Sequence, residues 1–363
     1  MILQINHQTI DLQKILEPET TIPILEANEQ TALQFCIDWL KGKEEFTLKT
    51  SGSTGTPKNI SLKRQNMQWS AKATIKALQL QNVKKALICL PTQYIAGTMM
   101  LVRALEHHWD IYLTTPKANP LEQLPQNYQP DFTALVPTQL TNILQNTHTQ
   151  HIAQKMQSIL IGGAAIEETL IEQCQSIKTP IYSSYGMTET ISHIALRRIN
   201  GAEKTNYYIT LPQVDIDQDE RQCLKIKAQV TDNEWITTND IVEVLPQKQG
   251  FRLLGRADNI INTGGIKIQP ETIEKKIAHF LPPDTPFFIT AIADSYWGNK
   301  VVLLIQSSQT IDLNTIKEKL KPILLPHEMP KEIHLFSPFL YTETGKIQRK
   351  TTTEAFLKTT KKC

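Results

Sequence analysis

Apolar residues follow two periods along this chain, and the period changes near Ser192. Across 63–80, Met67, Ala71, Ile75 and Leu78 recur every three or four residues, which predicts a helix with one buried face. The run at 86–90 is apolar throughout and predicts a strand buried on both faces. Similar short runs predict strands at 110–114, 131–136, 158–162 and 180–184. Helical patterns separate them at 98–107, 138–146 and 167–176. Such alternation implies βαβ units and a mainly parallel sheet covered by helices. Beyond Ser192, residues 222–230 alternate apolar and polar with period two, as a half-exposed antiparallel strand does. After Gly255 the pattern predicts a helix at 270–280, strands at 286–293 and 300–306, and a helix at 313–320. The expected fold class is therefore α/β. A large N-terminal domain (1–255) has mainly parallel sheets flanked by helices plus a β-rich part, and a small α+β C-terminal domain (256–363) follows.

Composition narrows the partners. The 363 residues fit roughly two domains at about 150 residues each. With 40% hydrophobic and 20% charged residues the chain is neither disordered nor fibrous. Lys and Arg total 38 against 36 Asp and Glu, so the charge of +2 gives no reason to expect nucleic acid or an anionic membrane as partner. The apolar run at 86–102 is broken by Pro91 and Gly97 and falls short of the about 20 residues a membrane span needs. The N-terminus lacks the basic region and apolar core of a signal peptide. Five scattered cysteines (Cys36, Cys89, Cys174, Cys223 and Cys363) show no C-x-x-C spacing, which disfavours structural zinc and fits a reducing cytoplasm.

The densest chemical signal is Leu48-Lys-Thr-Ser-Gly-Ser-Thr-Gly-Thr-Pro-Lys58. Gly52 and Gly55 let the backbone turn so that several N–H groups converge on an anion. The hydroxyls of Thr50, Ser51, Ser53 and Thr54 add donors, and Lys58 adds a point charge. A polyphosphate needs such a set. The kinase-type P-loop is excluded, because counting from Gly52 it requires Gly at 57 and Ser or Thr at 59, where this chain has Pro57 and Asn59.

A second segment, Ser183-Ser-Tyr-Gly-Met-Thr-Glu-Thr190, follows a predicted strand end, where open parallel sheets bind ligands. Tyr185 can stack on a base, Thr188 can bond a phosphate, and Glu189 offers an oxygen ligand to Mg²⁺. Asp240, in Trp235-Ile-Thr-Thr-Asn-Asp240, can accept two ribose hydroxyls. Gly255-Arg-Ala-Asp-Asn-Ile-Ile-Asn-Thr-Gly-Gly-Ile-Lys267 and Thr342-Glu-Thr-Gly-Lys-Ile-Gln-Arg349 complete the set, the latter a tight turn presenting Lys346.

Five motifs in this order, from about Thr50 to Lys350, resemble the acyl-adenylating superfamily of acyl-CoA synthetases, luciferase-like enzymes and peptide-synthetase adenylation domains. The resemblance implies an AMP-forming acid–thiol ligase that uses ATP, Mg²⁺ and CoA on a small-molecule carboxylic acid. By position, Thr50 to Lys58 would cradle the β- and γ-phosphates. Tyr185 and Gly186 would lie against adenine, Thr188 would contact the α-phosphate, and Glu189 would hold the metal. Asp240 and Arg256 match the ribose-binding positions, and Lys346 matches the lysine that reaches the α-phosphate and acyl carboxylate. Asp258 matches the hinge about which the small domain moves. Gly264 and Gly265 would open the path of the CoA thiol. Gly162, Gly163 and Ala164 look like the segment that walls the acyl pocket. A homodimer is compatible with this family.

Departures point to a subgroup. Only 49 residues precede Thr50, where most members carry a far longer N-terminal subdomain. Tyr94 stands where many members have His, Asn239 where Gly is usual, and Asn259 where a second Asp is common. The chain most resembles the compact o-succinylbenzoate–CoA ligases of menaquinone synthesis. There Tyr94 could stack on an aromatic acid, Gly97 would leave room for a ring, and Arg103 is available to a second carboxylate. Tyr94 reads equally as filler for the missing subdomain, and Arg103 as a helix-face cap. Two alternatives stand beside this: an adenylating enzyme that loads a carrier protein, and a non-enzymatic nucleotide-binding protein. His148 and His151, spaced i, i+3 without a third ligand, are expected in a polar loop, and His107-His108 at a helix end. His193 is a candidate for the acyl pocket or an ordinary structural histidine.

Overall fold

The structure is a computed structural model that describes residues 1–5, 8–17, 25–49, 59–282, 285–307, 312–342 and 347–360. The chain divides into two compact units. The first comprises Met1–Ile216, Ile226–Ile236 and Pro246–Phe251, and the second Asp217–Lys225, Thr237–Leu245 and Arg252–Cys363.

In the first unit, strands lie in the order Ile181–Gly186, Ser158–Ile161, Phe132–Leu135, Lys85–Ile88, Asp110–Leu113 and Ile2–Ile5, every neighbouring pair parallel. The all-apolar runs in the sequence are these strands. Leu87, Ile88, Phe132, Ile159 and Ile161 have no exposed surface, as sheet faces covered on both sides require. Helices Arg64–Leu78, Ile95–Glu106 and Pro137–Gln145 bury the apolar stripes that the spacing predicted. One edge of the sheet ends in an antiparallel strand, Gln8–Asp11. On the other side of the parallel strands His193–Arg198 pairs antiparallel with Ile181–Gly186, and Tyr208–Thr210 follows it. A separate ribbon pairs Glu45–Lys49 with Asn59–Lys63, Lys49 opposite Asn59. The segment 50–58 connects those two strands in sequence and lies outside the described residues.

The second unit has its own three-stranded sheet. Phe287–Asp294 runs antiparallel and Glu332–Leu335 parallel to Gly298–Ile305. Val301, Leu303 and Ile305 pack with Ile273, Ile277, Ile316 and Leu320 from helices Pro270–Ile277 and Leu313–Leu320. Strand Cys223–Lys227 occupies part of the period-two segment, which then turns into a short 3₁₀ helix at Gln229–Thr231.

Among the elements that the sequence missed are three helices, the N-terminal strand pair and the strands His193–Arg198, Tyr208–Thr210 and Glu332–Leu335. Helices Ala27–Leu40, Thr147–Ala153 and Arg349–Thr360 and the hairpin of Ile2–Ile5 with Gln8–Asp11 were not expected. His148 and His151 therefore lie on a helix and not in a polar loop, because Asn146 Oδ1 accepts the His148 and Thr149 N–H groups and starts it. His107 ends helix Ile95–Glu106 as its spacing implied. No helix among the described residues is long and apolar enough to cross a membrane.

Candidate active site

The strand order reverses direction at Lys85–Ile88. The chain next builds Asp110–Leu113 on one side of it and then Phe132–Leu135 on the other. Two chain connections diverge there at the strands' carboxyl ends, the place where open α/β sheets bind ligands. The loop through Pro91 and Tyr94 leaves Lys85–Ile88 at that end and enters helix Ile95–Glu106, with half-buried Tyr94 as its N-cap. Gly97 is buried in the first turn of this helix. A Cβ there would fall on the carbonyl of Pro91 and lie 2.7 Å from that of Leu90. The glycine thus serves the close approach of helix and loop, and the space expected for a substrate ring at this residue is filled by the chain itself. Gly162, Gly163 and Ala164 follow strand Ser158–Ile161 one connection along, with Gly163 at φ +87° and Ala164 exposed.

Arg103, on the same helix, is 2% exposed. Its Nη2 donates to Ser192 Oγ at 2.9 Å, while its Nε has no partner among the described residues. No carboxylate among the described residues pairs with it, and burial pushes its pKa down to about 10. It remains a cation at neutral pH.

Two strands along lies the second motif. Ile181–Gly186 buries alternate residues, and Tyr185 belongs to the buried set. Its ring, 8% exposed, packs 4.9 Å from Phe251 and 5.8 Å from Tyr208, centroid to centroid. The residue expected against adenine is thus largely covered by the chain's own rings. Gly186 is exposed, and a Cβ on it would sit 2.6 Å from His193 Cα, so only glycine fits. A 3₁₀ turn, Thr188–Thr190, then presents Glu189 to solvent. Thr190 anchors it: its hydroxyl, with no exposed surface, accepts from Met187 N–H at 2.9 Å and lies 2.7 Å from Ser192 O. No cluster of three or more metal-ligating side chains exists among the described residues. A single exposed carboxylate on a short turn nevertheless suits Mg²⁺, which takes one or two protein carboxylates and fills its remaining positions with water and phosphate oxygens.

In the second unit, Asp240 lies on strand Ile236–Val244 with a side chain 13% exposed. Arg256 donates to Asp240 Oδ1 at 2.9 Å and to Asp258 Oδ2 at 2.8 Å. Asn239 Nδ2 lies 3.4 Å from the same Asp258 oxygen. Gly264 and Gly265, at φ +55° and +80°, join strands Ile261–Thr263 and Ile266–Ile268 in a two-residue hairpin turn that demands positive φ at both positions. Gly264 also packs under Trp297, whose Cε3 would be 2.9 Å from a Cβ. The turn alone accounts for both glycines.

Thr50, Ser51, Gly52, Ser53, Thr54, Gly55, Lys58 and Lys346 lie outside the described residues, but their flanks do not. Tyr341 bridges Ile347 across residues 342–346, and Gln348 N–H donates to Leu340 O at 2.8 Å. Arg349 forks onto Glu274 at 2.6 and 2.7 Å, tying the start of the last helix to helix Pro270–Ile277.

Sequence reasoning missed Ser192, Thr190 and Thr74 and the aromatic pair Tyr208 and Phe251. None stands in a repeating pattern; the signals were that Thr190 closes the quoted turn motif and that Ser192 and His193 lie two and three residues past it.

Comparison with known proteins gives the family and the fold. Residues 46–224 match the model of the AMP-binding enzymes. The chain is 26% identical over 334 residues to the 2-succinylbenzoate–CoA ligase of Listeria monocytogenes, covering 86% of this chain and 70% of the relative. For the Staphylococcus aureus 2-succinylbenzoate–CoA ligase the figures are 25% over 364 residues, 94% and 72%. Among solved structures, an acyl-CoA synthetase (AMP-forming)/AMP-acid ligase II-like protein from Dyadobacter fermentans is 39% identical with a TM-score of 0.64. That match covers 93% of this chain and 97% of the other. The Bacillus subtilis o-succinylbenzoate CoA synthetase in complex with its acyl-adenylate shares the fold at a TM-score of 0.71 and 20% identity, covering 84% and 68%.

Proposed function

We infer the function of this chain from its family: it belongs to the AMP-binding enzymes, and it is an AMP-forming acyl-CoA ligase whose acid is o-succinylbenzoate. The observation that carries the choice of acid is Arg103. A buried guanidinium that has no carboxylate partner and an unsatisfied Nε among the described residues is costly unless an anion completes it. It lies on the helix that opens at the sheet's switch point. An acid with one carboxylate for adenylation and a second for Arg103 meets that need, and o-succinylbenzoate is such an acid. Tyr94 supplies an aromatic face for its ring.

In the first half-reaction an oxygen of the acid's carboxylate bonds to the α-phosphorus of ATP, and the bond to pyrophosphate breaks. Two anions must meet, so the site has to offset charge already in place. Lys58 and the N–H groups of 50–58 hold the departing phosphates, Thr188 bonds the α-phosphate, and Lys346 bridges the α-phosphate and the carboxylate. Asp240 and Arg256 hold the ribose. Glu189 would hold magnesium, which would supply positive charge to offset that of the phosphates. In the second half-reaction the CoA thiol attacks the acyl carbon and AMP leaves. The small domain, 256–363, turns about Asp258 between the two steps and withdraws Lys346. Free, buried thiols at Cys36, Cys89, Cys174 and Cys223 support action in the cytoplasm.

The test mixes purified protein with Mg-ATP, CoA and a panel of acids that includes o-succinylbenzoate. Pyrophosphate and thioester are recorded separately. Both products with o-succinylbenzoate are expected. Pyrophosphate without thioester would move the reading to carrier-protein loading, and no pyrophosphate from any acid would overturn it.

A further inference from the structure

Directly after the Thr188–Thr190 turn, Ile191 has φ +65° and ψ −49°. Ser192 N–H closes onto Thr190 O at 2.6 Å across it, so Ile191 is the centre of the rarer, strained form of γ-turn. A β-branched residue at positive φ persists only where surrounding contacts over-determine it. Here those contacts form one buried line. Arg103 Nη2 donates to Ser192 Oγ at 2.9 Å. Ser192 Oγ lies 3.4 Å from His193 Nδ1. His193 Nε2 lies 3.0 Å from Thr74 Oγ1, which gives its one proton to Ser70 O at 2.9 Å. Thr74 must therefore accept, which makes Nε2 the donor, and Nδ1 is left to accept from Ser192. Every donor in the line points the same way, from helix Ile95–Glu106 through the turn to helix Arg64–Leu78. His193 is 5% exposed and touches no solvent-facing site of its own.

We propose that Ser192 and His193 are positioning residues for Thr188 and Glu189. By tying the residues just past the γ-turn to two helices, they fix where the hydroxyl and carboxylate meet the phosphates of ATP. The proposal rests on the family reading for the role of that turn. It adds that the strain at Ile191 is retained because relaxing it would swing Glu189 away.

The experiment compares wild type with His193→Leu, His193→Gln and Ser192→Ala. Mg-ATP affinity is measured by calorimetry without acid, together with the Mg²⁺ dependence of pyrophosphate release and the thioester step from supplied acyl-adenylate. Losing one buried, cooperative hydrogen bond predicts about tenfold weaker Mg-ATP binding in His193→Leu. Its Mg²⁺ activation shifts upward while the thioester step stays near the wild-type rate. His193→Gln, whose amide can donate to Thr74 and accept from Ser192, recovers most of the loss. Ser192→Ala repeats the effect should the leucine variant fail to fold. Wild-type Mg-ATP affinity in both Ser192→Ala and His193→Leu overturns the proposal alone. So does an equal fall of both half-reactions, which marks the residues as merely structural. Absence of Mg-ATP binding by the wild type overturns the family reading of the turn and the proposal with it.

Discussion

The turn at Thr188–His193 in the first unit and the charge cluster at Asp240, Arg256 and Asp258 in the second both serve ATP in the proposed reaction, yet they are built differently. Around the turn the polar atoms are buried. Thr190 and Thr74 have no exposed surface, Arg103 and His193 almost none, and each hydrogen bond settles the direction of the next. Such a network resists rearrangement, because a broken link leaves a buried group without water or partner. In the second unit Arg256 is 45% exposed and Asp258 54%. Water replaces their contacts at little cost, and salt screens them. Arg256 is shared between the carboxylate that matches the ribose site and the carboxylate that matches the hinge. Where a charge has to stay in one place, the chain surrounds it with buried donors. The proposed hinge motion would break and remake contacts of the second kind, which lie in water.

The largest effect expected belongs to neither region but separates the steps that they serve. Lys346→Ala should lower pyrophosphate release by about 10²–10³-fold, the cost of one preorganised charge at a transition state. Thioester formation from supplied acyl-adenylate should be largely spared. If both steps fall together, the assignment of the lysine to adenylation alone is wrong, and so is the idea of a hinge that withdraws it.

Asp240→Ala sharpens the contrast next. It removes a carboxylate that is 13% exposed and leaves Arg256 its contact with Asp258. Hydrogen bonds to charged groups are worth about 1.5–3 kcal/mol, so the KM for ATP should rise about tenfold or more. The melting temperature should fall by only a few degrees, since Arg256 is 45% exposed and keeps its contact with Asp258. A large loss of stability in this variant would show that the cluster is as structural as the buried turn, and the comparison would collapse.

The sequence made the two regions unequally legible. The parallel strands could be read because covered strands are apolar throughout, and Phe132–Leu135 and Ser158–Ile161 are buried at every position. Helix Ala27–Leu40 was hidden because Leu33, Phe35, Cys36, Ile37 and Trp39 are all buried, which leaves no clean stripe. Helix Arg349–Thr360 was hidden by three successive threonines, Thr351 to Thr353, which are poor helix formers. Of the site, the turn motif and the Asp240 and Arg256 positions were local strings of residues and could be quoted directly. The buried line was not legible. Arg103 is 89 positions from Ser192 and Thr74 is 119 from His193, so no spacing rule connects them. Gly97 could be located but not explained, because the carbonyls that require it belong to a loop whose path only the fold determines.

The smallest effect expected tests the buried region by pH. Burial, and then the nearby Arg103 charge, hold the His193 imidazole well below the usual histidine pKa of 6.5. Above that value the folded and unfolded chains both carry a neutral imidazole, and His193 makes stability independent of pH. Below it the unfolded chain takes up a proton that the folded chain refuses. Stability contributed by the neutral group is therefore lost as pH falls from 6.5 towards the depressed folded value. One proton sets the limit of the slope at about 1.4 kcal/mol per pH unit. For a unit of this size, that is a fall in melting temperature of about 2–4 °C per kcal/mol. Thermal scans between pH 7.5 and 5.5 should show a steeper decline for wild type than for His193→Gln, which has no proton to gain. The exposed cluster provides the control, because Asp258→Asn should leave the wild-type slope in this window intact. Parallel slopes for wild type and His193→Gln would mean that the imidazole accepts its proton in the folded chain. The one-way donor line from Arg103 to Ser70 would then be wrong.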